Sequence, residues 1–401
     1  MGFAMSKVIV RAELEKLQNA LKENNLQDLS KQINEELKSL SSTTLDIAIT
    51  GVTGTGKSSL VNALRGMGDY DNDSAKTDIR ETTKKPDKYT HPVFPNVTVW
   101  DLPGIGSPKF KANEYLQKTN FAKYDFFIIV ASERFTENDI LLTKEIQDMK
   151  KKYYFVRSKV DQSIQAEERN PDFHEEESLE KIRHYCCENL RKAGESNPRV
   201  FLLSSWNLSG YDFPLLLDTL ENDLDGLKRQ VIIESMPAFS KEALEKKKAA
   251  MEALIWKLAL VSCAMISQSQ DSALLVPELH PCGDISFLAA TMKKFCQVFG
   301  LDEESLGRLA HRIHKPIDEL KSAVKIVPLA SQITEEFVLH LALKSDACRV
   351  LMAVEFALDF IPVLGSLVGN GTSFATTFYM LKSFLSDVKE DAENVLAKAA
   401  E

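Results

Sequence analysis

Residues 45–66 read LDIAITGVTGTGKSSLVNALRG, and the fold follows from how this stretch is parsed. Leu45 to Thr50 is a short apolar, β-branched run, the pattern of a buried strand. Gly51 to Ser58 spells G-x-x-x-x-G-K-S. Ser59 to Leu64 has the character of a helix, and Gly66 can supply its left-handed stop. Strand, glycine loop and helix in that order are the context a phosphate-binding loop needs. Gly51, Gly54, Thr55 and Gly56 let the backbone approach a phosphate and aim N–H groups at it. The helix that follows points its positive end, with Ser59 in the first turn, at the same place. Lys57 is expected on the β- and γ-phosphates and Ser58 on Mg²⁺.

Outward from this loop, strands and helices alternate. Asn96–Trp100, Tyr124–Ala131, Tyr153–Val156 and Val200–Leu203 read as strands, with helices over Asn138–Lys150 and Ser178–Lys192. That alternation predicts an α/β doubly wound sheet over residues 45–225. Past Leu224 strand-like runs vanish. Helical stretches are expected at 240–267, 286–299, 346–361 and 372–396, with Asp302 capping a further helix. Residues 226–401 therefore form an all-helical domain. Residues 1–44 carry two amphipathic helices, broken at Asn24-Asn25, that are expected to pack with it. A chain of 401 residues suits two domains.

With the phosphate loop, three further short motifs make four at predicted strand ends. Asp101-Leu-Pro-Gly104 ends one strand. Asp101 there can hold Mg²⁺ through water, and the Gly104 N–H can meet a γ-phosphate. Thr83, in the polar segment before it, is the candidate switch threonine for Mg²⁺ and the γ-phosphate. Ser158-Lys-Val-Asp161 matches [N/T]-K-x-D at its two important positions. Asp161 can accept from the guanine N1–H and amine, donors that adenine does not pair in this way. The Lys159 stem can lie along the base. Ser204-Ser205-Trp206 sits where a further N–H meets the guanine oxygen. Lys57, Thr83 and Gly104 are the catalytic set. Ser58, Thr83 and, through water, Asp101 are the metal set. Three positions depart from the common pattern: Ser158 for Asn or Thr, Trp206 for Lys, and Ile105 where Ras-like enzymes carry a water-orienting Gln. Trp206 can cover the base edge or serve as a core aromatic.

The motifs GVTGTGKSS, TVWDLPGIGS, YDFFIIVASERFTENDI, YYFVRSKVD and YDFPLL, in this order, resemble those of the immunity-related GTPases, the interferon-inducible family. The lysine-bearing loop resembles that of their effector type. The resemblance implies a dynamin-like GTPase that binds GTP and GDP and acts in cell-autonomous defence. It implies a cytoplasmic protein peripherally associated with intracellular or vacuolar membranes, assembling through its G domains in the GTP state. The family's contacts carry over to Gly54, Gly56, Lys57, Ser58, Ser59, Thr83, Lys159 and Asp161, and also to Ser205. The alternative is a GTP-binding scaffold or switch with little hydrolysis.

Net charge is −9, with no basic run for nucleic acid, which is not expected as a partner. Six scattered cysteines without a C-x-x-C pair read as reduced thiols. Met1-Gly2-Phe3-Ala4-Met5-Ser6 fits the myristoylation template with Gly2 as acceptor, the bulky Phe3 counting against it. Between Asp359 and Lys382 no residue is charged. Pro362, Gly365, Gly369 and Gly371 interrupt that stretch. A buried helical hairpin, a membrane-facing surface and a spanning helix all stay open.

Overall fold

The computed structural model describes residues 26–77, 85–104, 121–133, 135–237, 239–268, 284–343 and 371–401. Two compact units share the chain. Ser42–Phe239 form one; the segments on either side, up to Ser41 and from Ser240, form the other.

The Ser42–Phe239 unit is built on a six-stranded sheet, β1 (Leu45–Gly51), β2 (Asp87–Thr90), β3 (Val97–Asp101), β4 (Phe126–Ala131), β5 (Lys152–Arg157) and β6 (Val200–Leu202). Its order is β2-β3-β1-β4-β5-β6. All pairs are parallel except β2 with β3, which is antiparallel. Central strand β4, which reads FFIIVA, is apolar and buried along its whole length because helices cover both faces of such a sheet. Those helices are α2 (Lys57–Leu64), α3 (Glu137–Asp148), α4 (Val160–Glu167), α5 (Glu175–Lys192), α6 (Phe213–Asp223) and α7 (Gly226–Ser235). On one side Phe127, Ile129 and Phe155 meet Leu142 and Ile146 of α3 and Cys186 and Leu190 of α5. The chain leaves β1 toward β3 on one side and β4 on the other. The carboxyl end of β1 is thus the switch point where α/β sheets place their ligands.

The sequence reading puts the domain boundary at 225/226. In the structure α7 belongs to the sheet unit, and the division falls between Phe239 and Ser240. Val231 and Ile232 of α7 are buried, and Lys228 forms an ion pair with Asp125, next to β4.

The other unit is helical. It contains α1 (Leu26–Ser42), α8 (Lys241–Gln268), α9 (Ile285–Val298), α10 (Glu303–Arg312), α11 (Ile317–Lys321) and α12 (Gly371–Ala400). Ile33 of α1 joins Trp256, Ala259 and Leu260 of α8 and Phe374 of α12 in one apolar cluster. The Lys257 ammonium donates to Glu36 at 2.8 Å, fixing α1 along α8. Asp302 caps α10, accepting from the Ser305 N–H at 2.9 Å. Asp391 on α12 is fully buried and accepts three backbone N–H groups, from Lys325, Ile326 and Val327. Of the uncharged C-terminal stretch, residues 371–382 are described. Phe374, Met380 and Leu381 there are buried. The 346–361 helix lies outside the described residues, as do Gly2 and the first of the two N-terminal helices. Among the described residues no helix is long and apolar enough to cross a membrane.

Candidate guanine-nucleotide site

Gly51 ends β1 with φ 143°, and a Cβ there would lie 2.1 Å from the Val130 carbonyl oxygen of β4. Only glycine permits that approach. Gly54 and Gly56 take φ 84° and 87°, and Gly56 is the N-cap of α2. The first N–H donating within the helix is that of Leu60, to the Gly56 carbonyl at 3.0 Å. The N–H groups of Lys57, Ser58 and Ser59 thus have no acceptor within the helix and are the groups that bind phosphate in such loops. Lys57 is buried and its ammonium donates back across the loop to the Val52 carbonyl at 3.0 Å. The helix stops as predicted, with Gly66 left-handed at φ 68°.

Ser58 Oγ donates to Asp101 Oδ2 at 2.6 Å, so the hydroxyl and the carboxylate assigned to one cation are adjacent. Asp101 is almost fully buried. Gly104 lies directly against the loop: a Cβ there would fall 2.2 Å from Thr53 Oγ1 and 2.8 Å from the Thr53 backbone N. The 158–161 turn closes the site from the other side. Ser158 Oγ donates to the Thr55 carbonyl at 2.5 Å, and Lys159 Nζ donates to the Gly54 carbonyl at 2.8 Å. Lys159 is left-handed, φ 55°, and caps α4, whose first turn carries Asp161. The Val160 N–H donates to the Leu203 carbonyl at 3.2 Å, tying this turn to the segment that leads to Ser205.

The sequence model of the interferon-inducible GTPase (IIGP) family matches residues 10–399. The chain belongs to the interferon-inducible GTPase family. It is 40% identical to interferon-inducible GTPase 5 of Rattus norvegicus over 398 residues, 98% of this chain and 84% of that protein. The Bos taurus protein of the same name is 41% identical over 98% of this chain and 83% of its own length. Interferon-gamma-inducible GTPase 10 of Mus musculus is 37% identical over 98% of this chain and 90% of its own. The enzyme is thus an immunity-related GTPase that binds guanine nucleotide.

In this GTPase the structure gathers Gly51, Gly54, Thr55, Gly56, Lys57, Ser58, Asp101, Gly104, Ser158 and Lys159 at the carboxyl end of the sheet. Asp161 and Ser205 stand on the flanking elements. Ser59 Oγ is bonded to Asp69. Trp206 is 63% exposed, so of its two readings the core aromatic does not hold. Thr83 and Ile105 lie outside the described residues. Asp139 has no role assigned from sequence alone. This GTPase buries it at the start of α3, in a reciprocal cap with Thr136, and burial raises its carboxyl above the usual range while the Thr136 bonds and the Lys57 charge lower it. The T-x-x-D spacing of Thr136 and Asp139 was the available signal. Cys186, Cys187 and Cys296 are free thiols. Burial pushes Cys186 up to about 11 and Cys296 up to about 12, which leaves both unreactive.

Proposed function

We propose that this GTPase cradles the phosphates of GTP in the 51–58 loop, reads guanine through Asp161, and hydrolyses GTP to GDP and phosphate in a self-associated form. The observation that carries the reading is the double tie of the base turn to the phosphate loop, Ser158 on Thr55 and Lys159 on Gly54. It makes base recognition and phosphate binding one rigid construction.

In this reading phosphate oxygens replace the Val52 carbonyl as acceptor for Lys57. The donor set at Ser58 and Asp101 is hard oxygen, the chemistry that suits Mg²⁺, with Thr83 as the second hydroxyl. That ion, when bound, neutralises charge on the phosphates. Water attacks the γ-phosphorus in line, the bond to the β–γ bridging oxygen breaks, and both of the water's protons leave on the phosphate product as dihydrogen phosphate. Lys57 and the Gly104 N–H stabilise the developing charge; the Ser205 N–H meets the guanine oxygen. Because Ile105 cannot orient water, the missing group comes from a facing copy, with charges of the 71–88 segment as its candidates. Cytoplasmic location with peripheral attachment to internal or vacuolar membranes follows from the family resemblance and belongs to the same proposal.

Asp161→Asn tests the base reading. The amide can donate to the 2-oxygen of xanthine, so the variant should lose GTP and gain xanthosine triphosphate, while the unaltered chain rejects ATP. Equal binding of ATP and GTP would contradict it.

A further inference from the structure

The segment between α2 and β2 is polar and without regular secondary structure over residues 67–77, yet it is fastened to α2 by side chains. Asp69 is the centre of that attachment. Ser59 Oγ donates to Asp69 Oδ2 at 3.0 Å, and Asn62 Nδ2 donates to Asp69 Oδ1 at 2.8 Å. Ser59 and Asn62 are three residues apart, on one face of the helix. The second Asn62 N–H goes to the Ala75 carbonyl at 3.0 Å, and the Ala75 N–H returns to Asn62 Oδ1 at 2.6 Å. Asn62 is buried and its amide is used on both sides, so its orientation is fixed. Ser74 Oγ donates to the Asp69 carbonyl at 3.0 Å, and Arg65 holds the Asp73 and Thr90 carbonyls at 3.1 Å each.

We infer that Asp69 is a positioning residue for the nucleotide: its carboxylate braces the first turn of α2 through Ser59, whose N–H is among the donors offered to the phosphates. The inference rests on the 51–58 loop being the phosphate cradle. A helix start is frayed unless its first turn is held, because its N–H groups have no partners within the helix. Here one carboxylate oxygen grips that turn and the other grips the next turn at Asn62. Asp69 touches neither nucleotide nor metal in this account. It keeps the N–H groups of residues 57–59 aimed, and so acts on how long nucleotide stays and not on the chemical step.

The test compares the full chain with Ser59→Ala, Asp69→Ala, Asp69→Asn and the Ser59/Asp69 double alanine variant, in Mg²⁺. Release of a fluorescent GDP analogue and steady-state GTP hydrolysis are read together. Ser59→Ala should speed release about tenfold, the loss of one hydrogen bond to a charged group, and Asp69→Ala, which also loses the Asn62 bond, by at least as much. For Asp69→Ala and Asp69→Asn, KM should rise while kcat at saturation stays within about twofold. The double variant should release no faster than Asp69→Ala, since that change already removes the Ser59 bond. Asp69→Asn, which keeps an acceptor for one of the two donors, should fall between the unaltered chain and Asp69→Ala. If Asp69→Ala fails to fold, Ser59→Ala decides the matter alone, because it deletes only a hydroxyl. Release unchanged in the single variants, or effects that multiply in the double, would overturn the inference. An unaltered chain that does not bind the analogue would instead overturn the phosphate-loop reading, and this inference with it.

Discussion

The Ser158 hydroxyl lies 2.5 Å from the Thr55 carbonyl oxygen, joining two loops 103 residues apart in the chain. Both groups are buried, so the carbonyl has no water to turn to if the hydroxyl is removed. Ser158→Ala should cost about 1–3 kcal/mol of stability, the range for a buried acceptor left unsatisfied. It should also weaken guanine nucleotides, because Lys159 then has one anchor fewer beside it. Ser158→Thr keeps the hydroxyl and should retain most of both properties. Chemical denaturation and equilibrium binding of a fluorescent GDP analogue check this.

Gly51 and Gly54 are glycines for different reasons. A Cβ on Gly51 would fall 2.1 Å from the Val130 carbonyl oxygen, whereas nothing lies within 4 Å of one on Gly54. Gly51→Ala should force β1 and β4 apart and destabilise the sheet unit by several kcal/mol, beyond the usual range of about 0.5–3 kcal/mol for a point change. Gly54→Ala pays only for its positive φ, about 1–2 kcal/mol, and should fold while holding phosphate poorly. Thermal melting beside nucleotide binding separates the two effects.

Much of this was legible in the chain. The apolar runs at 45–50, 124–131 and 153–156 are strands because a sheet covered on both faces needs continuous hydrophobicity, and the structure extends or trims them by a residue or two. β2 was not legible: Asp87–Thr90 reads DKYT, polar and antiparallel at the sheet edge, where no apolar pattern is required. The 67–77 segment looked like an ordinary polar loop because what orders it is a set of hydrogen bonds to Asn62, Asp69 and Arg65, which have no period in sequence. The helix α7 lost its place because a change from strands to helices looks the same whether or not a domain ends there. At the site, the loop glycines, Lys57 and Asp101 announce themselves by spacing. The Ser158 and Lys159 bonds to the phosphate loop link residues about a hundred positions apart, and no local pattern encodes them.

Glu195 gives the sheet unit a defined acid response. The Tyr153 hydroxyl donates to its carboxylate, and the Gln147 amide and Asn197 N–H add further bonds, the first at 2.8 Å. These hold its carboxyl below the ordinary value near 4.5, the Tyr153 bond contributing most. A lowered carboxylate stabilises the fold above its unfolded-state value and loses that contribution as pH falls through its folded-state value. Stability should therefore decline on acidification below about pH 4.5, and Glu195→Gln should flatten part of that slope while being less stable at neutral pH. Denaturant midpoints measured across that range check both signs.

The claim on which the account turns is that hydrolysis belongs to the self-associated GTP form. It is tested most directly by phosphate release from GTP, per molecule of enzyme, measured over a wide range of protein concentration, with Lys57→Ala as the blank. Specific activity should rise with concentration, and the GTP form alone should be found as dimers or larger species. A specific activity that stays flat while the GTP form remains monomeric throughout would contradict it.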